Sequence, residues 1–239
     1  MKPKTLTKRE QNALIKVHRK AIDQETKAMI KGSGWRFLGQ YGCAVCEIDS
    51  LFAEASYSFN SPEFYSDVGL ACAVKPMDAD PLFWEIMDIS GNESKPLSFR
   101  STGAHTCRSM TIFERTIAGQ NTEKAAIEFR NHLDEMRIYV SSLEGSFADK
   151  VAIQRLETDR KKRTYFQTHV IALILESRRD EAAFMLEDGL INELSTHYSF
   201  YEREFHENQR LDKGSVKRRS FAEMALIWLE TKNKFGEAP

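Results

Sequence analysis

The chain is predicted to be an α+β protein: an N-terminal helix, an antiparallel sheet of about five strands with a helix packed on it, then a C-terminal all-helical half of αα-hairpins. Three observations predict this. Residues 35–117 carry short alternating or continuous apolar runs broken by Gly, Pro, Asn and Ser, which is the pattern of strands. The segments before and after carry apolar residues at helical spacing. With 239 residues, 41% of them hydrophobic and 29% charged, the chain can bury a substantial core. The expected organisation is an α+β sheet region over 1–120 and a helical region over 121–239, with one continuous domain left open.

The first helix starts at a capping box, Thr7 with Glu10. It carries Leu14, Ile15, Val17, Ala21, Ile22, Ala28 and Met29 as an apolar stripe and stops at Gly32-Ser33-Gly34. Strand-like pieces follow at Trp35–Leu38, Cys43–Ile48 and Phe52–Phe59. In the last of these Ala53, Ala55, Tyr57 and Phe59 alternate with Glu54, Ser56 and Ser58. Val68, Leu70, Cys72 and Val74 then face one way and Gly69, Ala71 and Ala73 the other, so small residues leave room for a close neighbour. Asp80 reads as an N-cap with Pro81 at the first helical position, opening an apolar helix through Phe83, Trp84, Ile86 and Met87 that is expected to lie on the sheet. Leu97–Thr102 and Met110–Ile117 read as two more strands. Helical segments are expected at Thr122–Leu143, from Ser146 to about Asp159, Tyr165–Ser177, from Asp180 to about His206, and Ser215–Lys232. Gly145, the run Arg160–Arg163, and Arg178-Arg179 are read as separators.

Composition narrows the class of function. No apolar run approaches the ~20 residues of a membrane helix, and the basic start has no apolar stretch behind it, so a cytoplasmic protein with no membrane partner is expected. Residues 1–31 hold nine Lys/Arg against three Asp/Glu, residues 32–119 six against eleven, and residues 120–239 nineteen against twenty-one. The basic first helix spreads its lysines around its circumference beside an acidic sheet, which argues against nucleic acid as a partner.

Motifs for chemistry are absent. There is no G-x-S-x-G elbow, phosphate loop, dinucleotide glycine fingerprint or His-Glu-x-x-His, so no catalytic residue and no cofactor is predicted. Cys43-Ala44-Val45-Cys46, with Cys72, His105 and Cys107, has zinc-like spacing. Its apolar spacers, however, lie in a strand that points Cys43 and Cys46 to opposite faces, and buried, reduced thiols are expected with no metal. Glu128, His132 and Glu135 share a helix face, but Glu202 with His206 is the only comparable pair, and a solvated charged face is the expectation.

Tyr165, Ile171, Leu173 and Leu175, the turn Ser177–Asp180, and Glu181–Leu186 with Ala182 at the crossing resemble one unit of a tetratricopeptide-type repeat. An ordinary αα-hairpin has the same spacing. On a larger scale, the order of helix, Gly34-Trp35-Arg36-Phe37, meander and Ala-rich αα-hairpin resembles uncharacterised bacterial domains associated with toxin–immunity loci. That resemblance implies a non-catalytic cytoplasmic protein-binding module, an immunity-type inhibitor of a toxin. The alternative is a small-molecule or metal-dependent enzyme with a dispersed site between sheet and helices. The acidic strands then suggest a basic protein partner meeting Glu54 and Asp67, with Tyr41, Phe52 and Phe64 supplying contact area.

Overall fold

A computed structural model describes residues 7–59, 67–103, 105–118, 122–191, 200–201 and 218–235. The fold is α+β, and its contacts divide into two compact units. Residues 1–77, 96–104 and 109–144 form the first; 78–95, 105–108 and 145–239 form the second. The chain therefore passes between the units five times.

In the first unit, α1 (Lys8–Met29) is opened by the Thr7–Glu10 capping box, and Gly32 and Gly34 then take left-handed φ values of 80° and 84°. Its buried stripe is Ile22, Thr26 and Ile30, whereas Val17 and Ala28 of the expected stripe face water. Strands β1 (Arg36–Leu38), β2 (Cys43–Ile48), β3 (Leu51–Phe59), β4 (Asp67–Pro76) and β5 (Met110–Ala118) pair antiparallel in sequence order. Strands β1 to β4 follow one another through short connections, whereas residues 77–109 separate β4 from β5, its antiparallel neighbour. Register places Ala44, Ala55 and Cys72 in one row across the sheet, on the face against which α4 (Thr122–Ser141) packs. Phe129 of α4 meets Tyr57 edge-on at 5.5 Å between centroids. Arginines tie α4 to the end of α1: Arg130 donates to the Met29 carbonyl at 2.7 Å and Arg137 to that of Ser33 at 2.8 Å. Cations at a helix C-terminus also complement its dipole.

On the opposite face, Phe52 and Lys75 are fully buried, with Lys75 Nζ 5.2 Å from the Phe52 ring centroid. Leu97–Thr102, expected as a strand, is instead a chain of tight turns ending in the short helix α3 (Phe99–Thr102). Its amides are satisfied locally, Phe99 bonding Pro96, Arg100 bonding Leu97 and Ser101 bonding Ser98, while Lys75 Nζ donates to the Arg100 carbonyl at 2.8 Å. Alternating Leu97 and Phe99 resembled a strand, but backbone pairing decides the outcome.

The second unit begins with α2 (Ala79–Ile86). The N-cap is Asp78, not Asp80. Asp80 is fully buried and its carboxylate accepts the Cys107 amide at 2.7 Å, a tertiary demand that overrides the local capping signal. Trp84 is buried and donates from Nε1 to the His105 carbonyl at 2.6 Å. Then come α5 (Phe147–Glu157), α6 (Asp159–Thr164), α7 (Phe166–Leu175), α8 (Arg179–Ile191) and α9 (Phe221–Phe235). The basic run Arg160–Arg163, expected as a separator, is the body of α6: Thr158 caps it by accepting the Lys161 amide at 3.1 Å, and Lys and Arg are good helix formers. A two-stranded pairing, β6 (Phe200–Tyr201) with β7 (Arg218–Arg219), interrupts the helices. Phe221 joins the core, stacked on Phe83 at 5.5 Å and edge-on to Phe166 at 6.5 Å. Gly189 of α8 lies so close to Phe166 that a Cβ there would stand 2.2 Å from its ring.

Candidate functional site

Those of the residues proposed from sequence for protein contact that are described lie in different environments. Tyr41 is exposed and Glu54 is half-buried. Phe52 is fully buried beneath Lys75, so it belongs to the core and offers no contact area. Asp67 pairs with Ala118 as the first residue of β4. Phe64 lies outside the described residues, as do Glu202 and His206.

His132 does not sit on a solvated face. It is 0% exposed, packs edge-on against Phe113 at 4.7 Å, and places Nε2 3.0 Å from Cys72 Sγ. Burial, then the Arg115 guanidinium, pulls its pKa down to about 4, so the ring is neutral near pH 7. Burial also pushes the Cys72 thiol up. The pair is a neutral hydrogen bond and not a thiolate–imidazolium nucleophile. Glu135 is separately occupied with Arg115 at 3.0 Å. Cys43, Cys46 and Cys107 are likewise buried and outside any disulfide; burial raises Cys43 to about 11 and Cys46 to about 12. Among the described residues no group of three or more His, Cys, Asp or Glu could hold a metal ion, and no helix is long and apolar enough to cross a membrane.

A concave site exists in the second unit. Helix α7 forms its floor through His169 and Leu173, and α5 and α8 form its walls, around a cleft of about 480 Å³. At one end the α7–α8 turn carries Arg178, and the first turns of α5 and α8 bring Asp149, Asp180 and Glu181. Arg178 grips Glu181 with two bonds of 2.7 and 2.6 Å and Asp149 with one of 2.6 Å. These pairings hold both carboxyls below, and the guanidinium above, their usual ranges. Glu176 fixes the start of α5 by accepting the Ala148 amide at 3.0 Å and the Ser146 hydroxyl at 2.5 Å. Deeper in, Arg155 donates to His169 Nδ1 at 2.9 Å, so the proton of the neutral ring is on Nε2. Burial, then Arg155, lowers the His169 pKa to about 4. The ring is a weak base, and the lining holds no Ser, Thr, Cys or Lys to act as a nucleophile. With three carboxylates against one guanidinium and a neutral histidine, the lining is net negative.

Beyond the cleft, α5 and α8 carry further exposed apolar side chains. Ile153 and Leu156 follow Asp149 and Ala152 on one stripe of α5, and Ile191 follows Phe184 two turns along α8. These four side chains are exposed to 68%, 78%, 75% and 80% for Ile153, Leu156, Phe184 and Ile191. Helix α8 is thus apolar on both sides, because its buried contacts are made by Ala182, Leu186 and Gly189. Sequence pattern alone does not separate these exposed residues from core, since Phe184 and its neighbours read as one half of an αα-hairpin. The available signal was the surplus of apolar residues in α8 over what one buried stripe needs.

Comparisons with protein-family models, with curated proteins and with solved structures find no match to this chain.

Proposed function

We propose that this chain is a non-catalytic protein-binding module acting in the cytoplasm on a basic partner, in the manner of an immunity-type inhibitor of a toxin. The observation that carries the reading is the set of exposed apolar side chains on α5 and α8, Ile153, Leu156, Phe184 and Ile191, of which Phe184 also lines the net negative cleft. Large apolar side chains exposed on neighbouring helices are characteristic of interaction sites. The weakly basic His169 and a lining without Ser, Thr, Cys or Lys favour binding over chemistry. The acidic end supplies charge complementarity to a basic surface and faster encounter.

The test is affinity capture with the wild-type chain and with Phe184→Asp, followed by mass spectrometry and sedimentation of the recovered complex. The reading expects one basic protein retained stoichiometrically by wild type and lost by the variant. A protein retained equally by both, or a small metabolite turned over by wild type, contradicts it.

A further inference from the structure

The outward face of α1 carries a straight line of cations. Five turns of an α-helix take about 18 residues, the separation of Arg9 and Lys27, so these two stand at the same angle about the axis, roughly 27 Å apart. Lys16 and Lys20 lie between them, each within about 20° of that line. Lys31 follows in the turn after the helix. All five side chains are exposed, and none bonds or pairs with another group among the described residues. Their surroundings do not neutralise them. Exposed Ala13, Val17 and Gln24 border the line on one side, and on the other Asp23 is half-buried and accepts the Tyr57 hydroxyl. Glu10 is closed into the capping box, and Glu25 stands about 160° round the helix from Arg9.

The even spread of lysines expected from sequence therefore does not hold once Ile22, Thr26 and Ile30 fix the buried face. Of the Lys and Arg residues in α1, only Lys8 and Arg19 leave the line, and Arg19 is committed to the fold through the Gln40 carbonyl at 2.9 Å. A line of unpaired cations one helix wide matches a partner with a row of regularly spaced anions. The buried face of α1 is packed against α4, so the helix has no apolar side to lay into a bilayer. The line holds no aromatic ring on which unpaired bases could stack. A nucleic-acid duplex asks for neither, since each strand presents a phosphate about every 3.4 Å of axis and several fall within the length of α1.

We infer that the outer face of α1 binds the phosphate backbone of a double-stranded nucleic acid through Arg9, Lys16, Lys20, Lys27 and Lys31, without reading its sequence. This is a second binding activity and does not rest on the protein-binding reading, whose residues lie on α5 and α8. With a net charge of −1 the chain as a whole does not attract a polyanion, so the contact depends on this line.

The test is fluorescence anisotropy of a labelled DNA duplex of about 24 base pairs, and of the RNA duplex of the same sequence, titrated with the full chain over a range of salt concentrations. Release of counterions by these contacts predicts that log K falls with log salt at a slope of about −4. The triple variant Lys16→Gln, Lys20→Gln, Lys27→Gln should bind at least about tenfold more weakly at low salt and lose about 3 from the slope. Gln is a good helix former and the three positions are exposed, so the variant keeps the fold, which circular dichroism checks. A control with Arg160→Gln, Lys162→Gln and Arg163→Gln removes the same charge from α6 and should bind as wild type does. Binding of either duplex with this signature supports the inference, and the tighter of the two identifies the preferred backbone. Failure of both duplexes to bind at low salt, a triple variant that binds like wild type, or equal weakening by the α6 control overturns it. Vesicles containing phosphatidylserine that bind through the same three lysines while neither duplex does would assign the line to a lipid surface and overturn it as well.

Discussion

Cys72 Sγ and His132 Nε2 lie 3.0 Å apart in the buried layer where α4 covers the sheet, and they join residues sixty positions apart in the chain. Neither group can ionise cheaply there, so the contact ties α4 to β4 as a hydrogen bond between neutral groups. Arg115, with its positive charge, and the Phe113 and Phe129 rings surround the histidine, and Glu135 on the same helix is taken by Arg115.

The first prediction follows from that histidine. Its folded pKa of about 4 is depressed below the ordinary unfolded value, so its stabilisation is complete above about pH 6.5 and is lost as pH falls towards 4. The loss over that window is on the order of 3 kcal/mol. His132→Phe should flatten the pH dependence of urea-unfolding stability in this window by about 1.4 kcal/mol per pH unit. Parallel wild-type and variant curves would show that His132 charges freely in the folded state.

A second prediction concerns the thiols. All four cysteines are buried and outside any disulfide, and burial raises the pKa of Cys43, Cys46 and Cys72. Since the thiolate is the reactive form, a disulfide reagent at pH 8 should modify none of the four in the native protein and all four in denaturant. A thiol that reacts natively at the rate of free cysteine would remove one of these residues from the core.

Gly189 provides a test of the α7–α8 packing. A Cβ at this position would come 2.2 Å from Cζ of Phe166, whose ring is itself held edge-on against Phe221. Gly189→Ala should therefore destabilise by about 1–3 kcal/mol, despite the better helix propensity of alanine. An unchanged or raised melting temperature would mean that the two helices are not in this contact.

Elements written in local chemistry were readable from sequence. Thr7 and Glu10 close their capping box, Gly32 and Gly34 take the left-handed turn, and the alternation of Ala53, Ala55 and Tyr57 matches the pleat of β3. What failed depended on distant partners. Asp80 looked like a cap until the Cys107 amide claimed it, and Leu97–Thr102 looked like a strand until Lys75 bonded the Arg100 carbonyl. His132 shared a face with Glu128 and Glu135, yet only tertiary contact shows that it points inward. The exposed apolar face of α8 was hidden for a related reason: Phe184 and Ile191 have core-like spacing, but α8 buries Ala182, Leu186 and Gly189 instead.

The central claim is that the chain works by binding a protein through α5 and α8. Hydrogen exchange followed by mass spectrometry, comparing the free chain with its complex with the partner captured by wild type, tests it most directly. The account predicts new protection concentrated in Phe147–Glu157 and Arg179–Ile191. Protection confined to Cys43–Ile48 and Leu51–Phe59, with α5 and α8 exchanging as in the free chain, would contradict it and return the site to the sheet around Tyr41 and Glu54.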